Sequence, residues 1–283
     1  MAQLSRRTAV VSLAAAAAGL AVPAARAATP PVTPLPQAHA HNDYLHTRPL
    51  LDALDQGFTS VEADVFLVDG ELLVAHEPAQ LDPTRTLRRL YLDPLLDRVR
   101  AHHGSVYPRY RRPVQLLIDI KADGVAAYEE LHRQLRPYRR MLTTVTDDRV
   151  HPGAVTPVIS GDRAARTPME AQPVRYACYD GRFDDLTAPA PTPASFIPLV
   201  SGNWTQFFGW TGDGPFPAAE RARLRTLVDT AHAQGRRVRF WATPDRPGPA
   251  REAVWTELLA AGVDHLNTDD LAGLRRFLTA RAR

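Results

Sequence analysis

The sequence has a single cysteine, Cys178, among its 283 residues, so no disulfide bond can form within the chain. Its stability must therefore come from a hydrophobic core, for which its 45% hydrophobic residues suffice. It also lacks a long basic run with interleaved aromatic residues, which gives nucleic-acid binding no support. The net charge of +3 would attract anionic partners only weakly.

The amino-terminal residues have the features of an export signal. A twin-arginine pair at 6–7 precedes an apolar run at 10–22, which is shorter than the ~20 residues of a membrane span. A small-x-small cleavage site follows at 25–27. The alternatives are a disordered alanine-rich tail or an uncleaved anchor. The sequence thus predicts a secreted or otherwise extracytoplasmic protein with three segments: a twin-arginine signal peptide at 1–27, a proline-rich linker at 28–36 and one domain at 37–283.

Within that domain, apolar strand-like runs alternate with helical runs. Strands are predicted at 37–41, 60–67, 114–120, 156–160, 174–179, 196–201, 237–242 and 265–267. Helices are predicted at 49–56, 93–102, 125–135, 218–234, 251–261 and 271–280. This alternation predicts the α/β class and a closed (β/α)8 TIM barrel, a fold of about 250 residues. Residues 142–155 and 180–195 show no clear helix, so the middle of the barrel is expected to be irregular.

A hairpin is expected directly after the second strand. The pair Asp69-Gly70 separates the apolar runs SVEADVFLV and ELLVAHE, and such a pair is a strong signal for a tight turn. The second run would fold back over the mouth of the barrel. It would bring His76 close to Glu62 and Asp64.

Polar residues that could carry chemistry stand at the predicted strand ends. In a barrel of this type the carboxyl ends of the strands converge on one site, so residues far apart in sequence would meet. The candidates are His39, His41, Asn42, Glu62, Asp64, His76, Asp119, Lys121 and Trp241.

Three of these candidates are carboxylates that point to a metal site. Glu62 and Asp64 are two residues apart on a strand and therefore face the same side, and Asp119 lies on the next strand. Burying several negative charges is costly unless a cation compensates them. Oxygen ligands suit one divalent cation, Mg²⁺ or Ca²⁺. The alternative is that the acids pair with arginines at the rim.

Two histidines beside such a metal suggest paired acid and base catalysis. Histidine suits both roles because its pKa lies near neutrality, so His41 could remove a proton while His76 supplies one. The cation and Lys121 would offset the charge of a phosphate group. The alternative is that both histidines are structural.

Four segments in order resemble the glycerophosphodiester phosphodiesterase family of the phosphatidylinositol phospholipase C-like superfamily. They are SVEADVFLVDGELLVAHE, QLLIDIKAD, VRFWATPD and GVDHLNTDDL. With its HAHNDY opening the chain is most similar to the subgroup that contains the altered inheritance of mitochondria protein 6.

The resemblance implies a metal-dependent hydrolase of glycerophosphodiesters or (lyso)phospholipid headgroups that works through a cyclic phosphate. It implies metal ligands at Glu62, Asp64 and Asp119 and catalytic histidines at His41 and His76. For substrate binding it implies Lys121, Trp241, Asn42 and His39. The expected protein is a monomer that takes a small substrate, binds no nucleic acid and contacts membranes at most transiently.

The chain departs from the family pattern in its opening. His41-Asn42-Asp43 stands where typical members have H-R-G, which removes the arginine expected beside the phosphate. His39 could serve as the first histidine in place of His41. The third ligand, Asp119, is an aspartate where many relatives have glutamate, and its shorter reach bears on the choice of ion.

Two other functions compete with the phosphodiesterase hypothesis. His39-x-His41 resembles the zinc motif of amidohydrolases and histidinol-phosphatase-type phosphoesterases, which need further histidines on later strands; here only His265 is available. Alternatively, the barrel binds a lipid headgroup or a glycan without catalysis. Binding alone does not require a matched acid and base.

Overall fold

The computed structural model describes residues 32–190 and 192–281. The predicted signal peptide at 1–27 and the linker residues 28–31 lie outside the described residues. The first strand begins at Leu35, so the last two residues assigned to the linker belong to the barrel. Across the described ranges, no helix combines the length and the apolar character that crossing a membrane requires.

Eight parallel strands close into a barrel, which confirms the predicted fold class. They are β1 (Leu35–Ala40), β2 (Phe58–Val68), β4 (Val114–Ile120), β7 (Val155–Gly161), β9 (Cys178–Gly181), β10 (Leu199–Asn203), β11 (Arg237–Trp241) and β12 (His265–Thr268). Each strand pairs with the next in this order, and β12 pairs with β1 to complete the ring. The closed ring leaves no open edge except where β3 (Glu71–Val74) adds to β2.

Helices connect most of these strands and cover the outside of the barrel. They are α1 (Leu51–Asp55), α2 (Asp93–Ala101), α3 (Gly124–Leu135), α4 (Arg166–Glu170), α5 (Trp204–Phe207), α6 (Ala218–Ala233), α7 (Pro249–Ala260) and α8 (Leu271–Arg281). A π-helical segment, Arg88–Leu92, leads into α2. Gly235 and Gly262 follow α6 and α7 with φ values of 72° and 83°, which is the left-handed conformation that ends a helix.

The alternation along β2 decides which side chains enter the barrel. Val61, Ala63 and Val65 are fully buried in the hydrophobic core. The residues between them, Glu62 and Asp64, therefore face the opposite side, because successive side chains of a strand alternate. Strand pairing then sets Asp64 directly beside Asp119 of β4.

The predicted hairpin after β2 is confirmed. Asp69 and Gly70 both have positive φ, 49° and 79°, as a tight hairpin turn with the twist of its strands requires. β3 runs antiparallel to β2, with Val74 opposite Val65. The backbone N–H of Ala75 donates to the carbonyl of Asp64, so the chain delivers His76 next to that residue.

The middle of the barrel is irregular, as expected, and the strand predicted at 174–179 is partly wrong. Residues 174–175 form β8, which joins β5 (Thr144–Thr146) and β6 (Arg149–His151) in a small antiparallel sheet. The barrel strand β9 begins only at Cys178. A continuous apolar run does not show where one strand ends and another begins.

Candidate active site

All the predicted site residues except His39 meet in a cleft of about 210 Å³ at the carboxyl ends of the strands. His41 and Asn42 follow β1, and Lys121 follows β4. The other residues of the lining lie on β2, β4, β7 and β11 or follow β3 and β9. The full lining consists of His41, Asn42, Glu62, Asp64, His76, Asp119, Lys121, Ser160, Arg182, Arg239 and Trp241.

The three carboxylates form one cluster. Glu62, Asp64 and Asp119 each offer an oxygen within 4.8 Å of the others. Glu62 is 6% exposed and Asp64 is 1% exposed, so their charges require positive charge nearby, and a cation would add to that of Arg239 and Lys121. Burial and the neighbouring Asp64 raise the pKa of Asp119 to about 6. In the described structure Oδ1 of Asp64 is buried without a hydrogen-bond partner, which suits this oxygen to bind a cation.

Glu62 is held in place from below by two buried side chains. The guanidinium of Arg239 lies 2.6 Å from Oε2 of Glu62, and Nε2 of His39 lies 3.1 Å from the same oxygen. Burial, together with the charge of Arg239, holds the pKa of His39 well below its usual value. His39 is therefore neutral and donates to Glu62 through Nε2, while its Nδ1 accepts from Ser60 at 2.7 Å.

That position contradicts a role for His39 in contacting substrate. Its ring is 0% exposed and lies beneath the carboxylate cluster, away from the cleft wall. The positions of the histidines also argue against a zinc site of the His-x-His type. His39 and His41 contact different partners, and His265 lies at the amino end of β12, opposite the end that borders the cleft. In the described part of the chain, the carboxylate cluster is the one group that meets the spacing of a metal site.

His41 lies on the cleft wall with one nitrogen engaged. Its Nδ1 lies 2.7 Å from Oδ1 of Asp269, which follows β12. Burial lowers the pKa of His41, but the hydrogen bond that it donates to Asp269 and the charge of Glu62 outweigh burial, and the net pKa lies above the usual value. A carboxylate accepts, so Nδ1 carries the hydrogen and Nε2 is left as the basic nitrogen.

His76 and Tyr44 share one oxygen of Asp64. Nδ1 of His76 lies 2.9 Å from Oδ2 of Asp64, and the hydroxyl of Tyr44 donates to the same oxygen at 2.7 Å. The hydroxyl lies 3.0 Å from His76 Nδ1 and 2.7 Å from the side-chain oxygen of Asn42. Burial and the charge of Asp64 raise the pKa of the Tyr44 hydroxyl, which stays protonated. Sequence reasoning missed Tyr44 although it lies within the HAHNDY motif.

The loop that carries Asn42 and Tyr44 is held in an unusual conformation. Leu50 is buried with a φ of 65°, which is strained for a residue with a Cβ atom. Its backbone N–H donates to Oδ2 of Asp43 at 2.5 Å, and the hydroxyl of Tyr91 donates to the same oxygen at 3.0 Å. Burial raises the pKa of Asp43 to about 7. A buried acid thus fixes the loop beside the cleft.

Positive charge surrounds the carboxylates. Lys121, the only lysine of the sequence, lies 3.0 Å from Asp64 and 3.6 Å from Asp119. Arg182 borders the cleft and binds Oδ2 of Asp180 at 3.0 Å. Sequence reasoning missed Arg182 and Arg239 because the pattern of apolar and polar residues around them does not show in which direction their side chains point. They bring arginine to a site whose opening motif lacks it.

Trp241 ends β11 with its side chain on the cleft wall. It is 37% exposed, an unusual degree for such a large apolar side chain, and the next residue, Ala242, has a φ of 54°. A tryptophan is usually found in the core, and this one is not. Its flat, exposed ring is suited to contact with an apolar part of a ligand.

Comparison with known proteins gives two family matches and several relatives. The model of the AIM6-like phosphodiesterase domain matches residues 27–180, and that of the glycerophosphoryl diester phosphodiesterase family matches residues 237–272. An altered inheritance of mitochondria protein 6 homolog of Arthroderma benhamiae is 30% identical, with 85% of this chain and 82% of the relative aligned. The altered inheritance of mitochondria protein 6 of Eremothecium gossypii is also 30% identical, over 86% of this chain and 69% of the relative.

Proposed function

The chain belongs to the AIM6-like phosphodiesterase family, and on that premise we propose that it is a metal-dependent phosphodiester hydrolase. We propose that its substrates are glycerophosphodiesters or (lyso)phospholipid headgroups. One observation carries the proposal: three carboxylates that suit a cation and two histidines that suit proton transfer line the same cleft.

The carboxylate cluster would hold one divalent cation, Mg²⁺ or Ca²⁺. Carboxylate oxygens are the ligands that both ions prefer, and the partnerless Oδ1 of Asp64 is free to bind. A bound cation would offset negative charge on the phosphate oxygens. Arg239 and His39 hold the Glu62 carboxylate in place through Oε2, so this ligand is preorganised.

During the reaction His41 would accept one proton and His76 would donate another. A hydroxyl of the substrate beside the phosphate gives its proton to Nε2 of His41, and its oxygen bonds to phosphorus. The bond from phosphorus to the leaving oxygen breaks, and that oxygen takes a proton from His76. The products are an alcohol and a cyclic phosphate. Asp269 fixes the basic nitrogen of His41, and Asp64 orients His76 through Nδ1.

The remaining cleft residues would bind the substrate. Lys121 and Arg182 carry charges that can pair with phosphate oxygens, and Arg182 would stand in for the arginine that the opening motif lacks. Trp241 would cover the carbon part of the leaving group or headgroup. Asn42, whose side-chain oxygen lies 2.7 Å from the Tyr44 hydroxyl and whose side-chain nitrogen lies 2.9 Å from Nδ1 of His41, would fix the loop over the substrate.

Turnover of a substrate panel tests the function. The wild-type protein, His41→Ala and the surface control His151→Gln are each given bis-p-nitrophenyl phosphate, glycerophosphodiesters and lysophospholipids with Mg²⁺ or Ca²⁺. Activity in the wild type and control but not in His41→Ala supports the proposal. No turnover of any substrate by the wild type would favour a binding protein. ³¹P NMR that shows direct hydrolysis, with no cyclic species at any time, would reject the two-step route.

We also propose that the protein works outside the cytoplasm after twin-arginine export, as residues 6–7 and 25–27 predict. Replacing both Arg6 and Arg7 by lysine keeps the charge and removes the twin-arginine signal. In a bacterial host, the precursor with this change should stay inside the cell. Export of the double-lysine variant at the wild-type rate would count against this route.

A further inference from the structure

A second cavity lies at the other end of the barrel, at the amino ends of the strands. Its volume is about 400 Å³, larger than the cleft. We name it the basal cavity and define it by the polar residues of its lining: Gln37, Thr59, Tyr110, Arg112, Gln115, Thr156, Arg237, Asp264 and His265. No residue lines both cavities, so the catalytic chemistry proposed above does not use this one.

The basal cavity contains two positive charges, on Arg112 and Arg237, and one negative charge, on Asp264, which lies near Arg237 without forming an ion pair. Arg237 donates to the side-chain oxygen of Gln115 at 2.8 Å and to Nε2 of His265 at 3.0 Å, both neutral partners. Neither Arg237 nor Arg112 has a carboxylate within ion-pair distance in the described ranges. An arginine partly removed from water without a counter-ion is unusual, because desolvation of the charge must be compensated.

The one carboxylate among the described residues of the lining is already engaged. Oδ2 of Asp264 accepts from the backbone N–H of Val238 at 2.8 Å and lies 2.9 Å from Nε2 of His232. Burial and the charge of Arg237 hold the pKa of His265 well below its usual value. The shift agrees with a positive potential in this part of the barrel, which would attract an anion.

We propose that the basal cavity binds a phosphate group, either free or as a phosphomonoester, through Arg237 and Arg112. Guanidinium groups recognise phosphate oxygens through paired, charge-assisted hydrogen bonds. Arg112 is exposed and lines the cavity, so its donors can reach a ligand there. Leu259 and Val263 give the same cavity an apolar wall that can accept the carbon part of a monoester.

Isothermal titration calorimetry at constant ionic strength tests the proposal, with inorganic phosphate and glycerol 3-phosphate as probes. Because the cleft is itself proposed to bind phosphate, Lys121→Met is included to weaken that site alone. Arg112→Gln changes an exposed residue and should not affect folding. Its neighbour Arg111, also exposed but outside the lining, gives the matched control Arg111→Gln.

We expect Arg112→Gln to raise the dissociation constant roughly threefold to tenfold, since one charge-assisted contact is lost. Binding to Arg111→Gln should match the wild type, and one binding event should persist in Lys121→Met. In Lys121→Met, tighter binding of glycerol 3-phosphate than of inorganic phosphate would identify a monoester as the occupant of the basal cavity, and equal or weaker binding would identify free phosphate. No binding by the wild type, equal effects of the two arginine variants, or loss of all binding in Lys121→Met would overturn the proposal. Diester turnover is not measured, so the result is independent of the proposed function.

Discussion

The ammonium nitrogen of Lys121 lies 3.0 Å from Oδ2 of Asp64, so the single lysine of the chain rests against a carboxylate proposed to bind a cation. The lysine is largely buried and also approaches Asp119 at 3.6 Å. It therefore supplies part of the positive charge that the cluster needs. Lysine and cation would act together on the same acids.

Replacing Lys121 by methionine should make the protein depend more on a divalent ion. Without an ion, the acids lose their nearest countercharge, and the unfolding midpoint should fall by several degrees, as a change of 1–2 kcal/mol produces in a domain of this size. Added Mg²⁺ should raise the midpoint of the variant more than that of the wild type. Differential scanning calorimetry with and without Mg²⁺ measures both, with the exposed Arg100→Gln as control. An equal ion effect in both proteins would contradict the shared role.

The carboxylate variants Glu62→Gln and Asp64→Asn should lose stabilisation by divalent ions. Each removes a negative ligand from the cluster, whereas Asp97→Asn removes an exposed charge outside it. In a thermal titration, Mg²⁺ or Ca²⁺ should raise the midpoint of the wild type and of Asp97→Asn but not of the two cluster variants. A stronger response to Zn²⁺ would point to a different kind of site, because carboxylate oxygens favour the harder ions.

Asp269→Asn should move the acid limb of the pH–activity profile to lower pH. Asp269 helps to hold the pKa of His41 above its usual value, and the amide keeps an acceptor for Nδ1 while removing the charge. A base is active when neutral, so a lower pKa preserves the active form at lower pH. The profile of kcat/KM between pH 4 and 8 measures the shift. If the acid limb lies at the same pH in the variant and in the wild type, His41 is not the titrating base.

His76→Gln should slow substrates with poor leaving groups most. An alkoxide leaving group needs a proton from the acid, whereas p-nitrophenolate leaves without one. We expect a loss of roughly 10²–10⁴-fold for glycerophosphodiesters with alkoxide leaving groups and a much smaller loss for glycerol p-nitrophenyl phosphate, a diester that keeps the attacking hydroxyl. His151→Gln, in the exposed strand β6, is the control. Equal losses on both substrates would assign His76 to orientation instead of proton donation.

Asp43→Asn should change how stability depends on pH. Because the folded-state pKa of Asp43 is about 7 and an unfolded aspartate titrates at about 4, the folded protein holds a proton that the unfolded chain releases. The free energy of unfolding of the wild-type protein therefore falls as the pH rises from about 4 to 7. The amide cannot ionise and keeps an acceptor for Leu50 and Tyr91. Urea unfolding should show the variant gaining about 2 kcal/mol over the wild type between pH 5 and 8; a constant difference would refute this.

The barrel was predictable because its signals are local. Each local signal defines one short segment: the alternation of apolar and polar residues, the glycines that end helices, and the Asp69-Gly70 turn. Strands and helices in this order can be assembled into a closed sheet in few ways. The shift of β9 was not predictable, because residues 174–175 join the outer sheet through pairing with β5, a contact between segments far apart. The short helices α4 and α5 have too few turns to show a periodic pattern.

The site was predictable in its acids and histidines but not in its supporting residues. Strand ends converge in any barrel, so Glu62, Asp64 and Asp119 could be placed together from sequence alone. The position of His39 beneath Glu62 depends on the depth at which a side chain leaves the strand, which sequence does not specify. An arginine within an apolar strand, Arg239, was the available sign that a buried partner acid exists.

His41 follows the first strand of the barrel, and its partner Asp269 follows the last, 228 residues further along the chain. During translation the residue proposed as base therefore leaves the ribosome long before the group that orients it. A nascent chain cannot acquire this pairing until β12 has been synthesised and has docked against β1. The proposed hydrolytic activity would therefore appear only after the barrel has closed. Incompletely synthesised chains would not cleave cellular phosphodiesters.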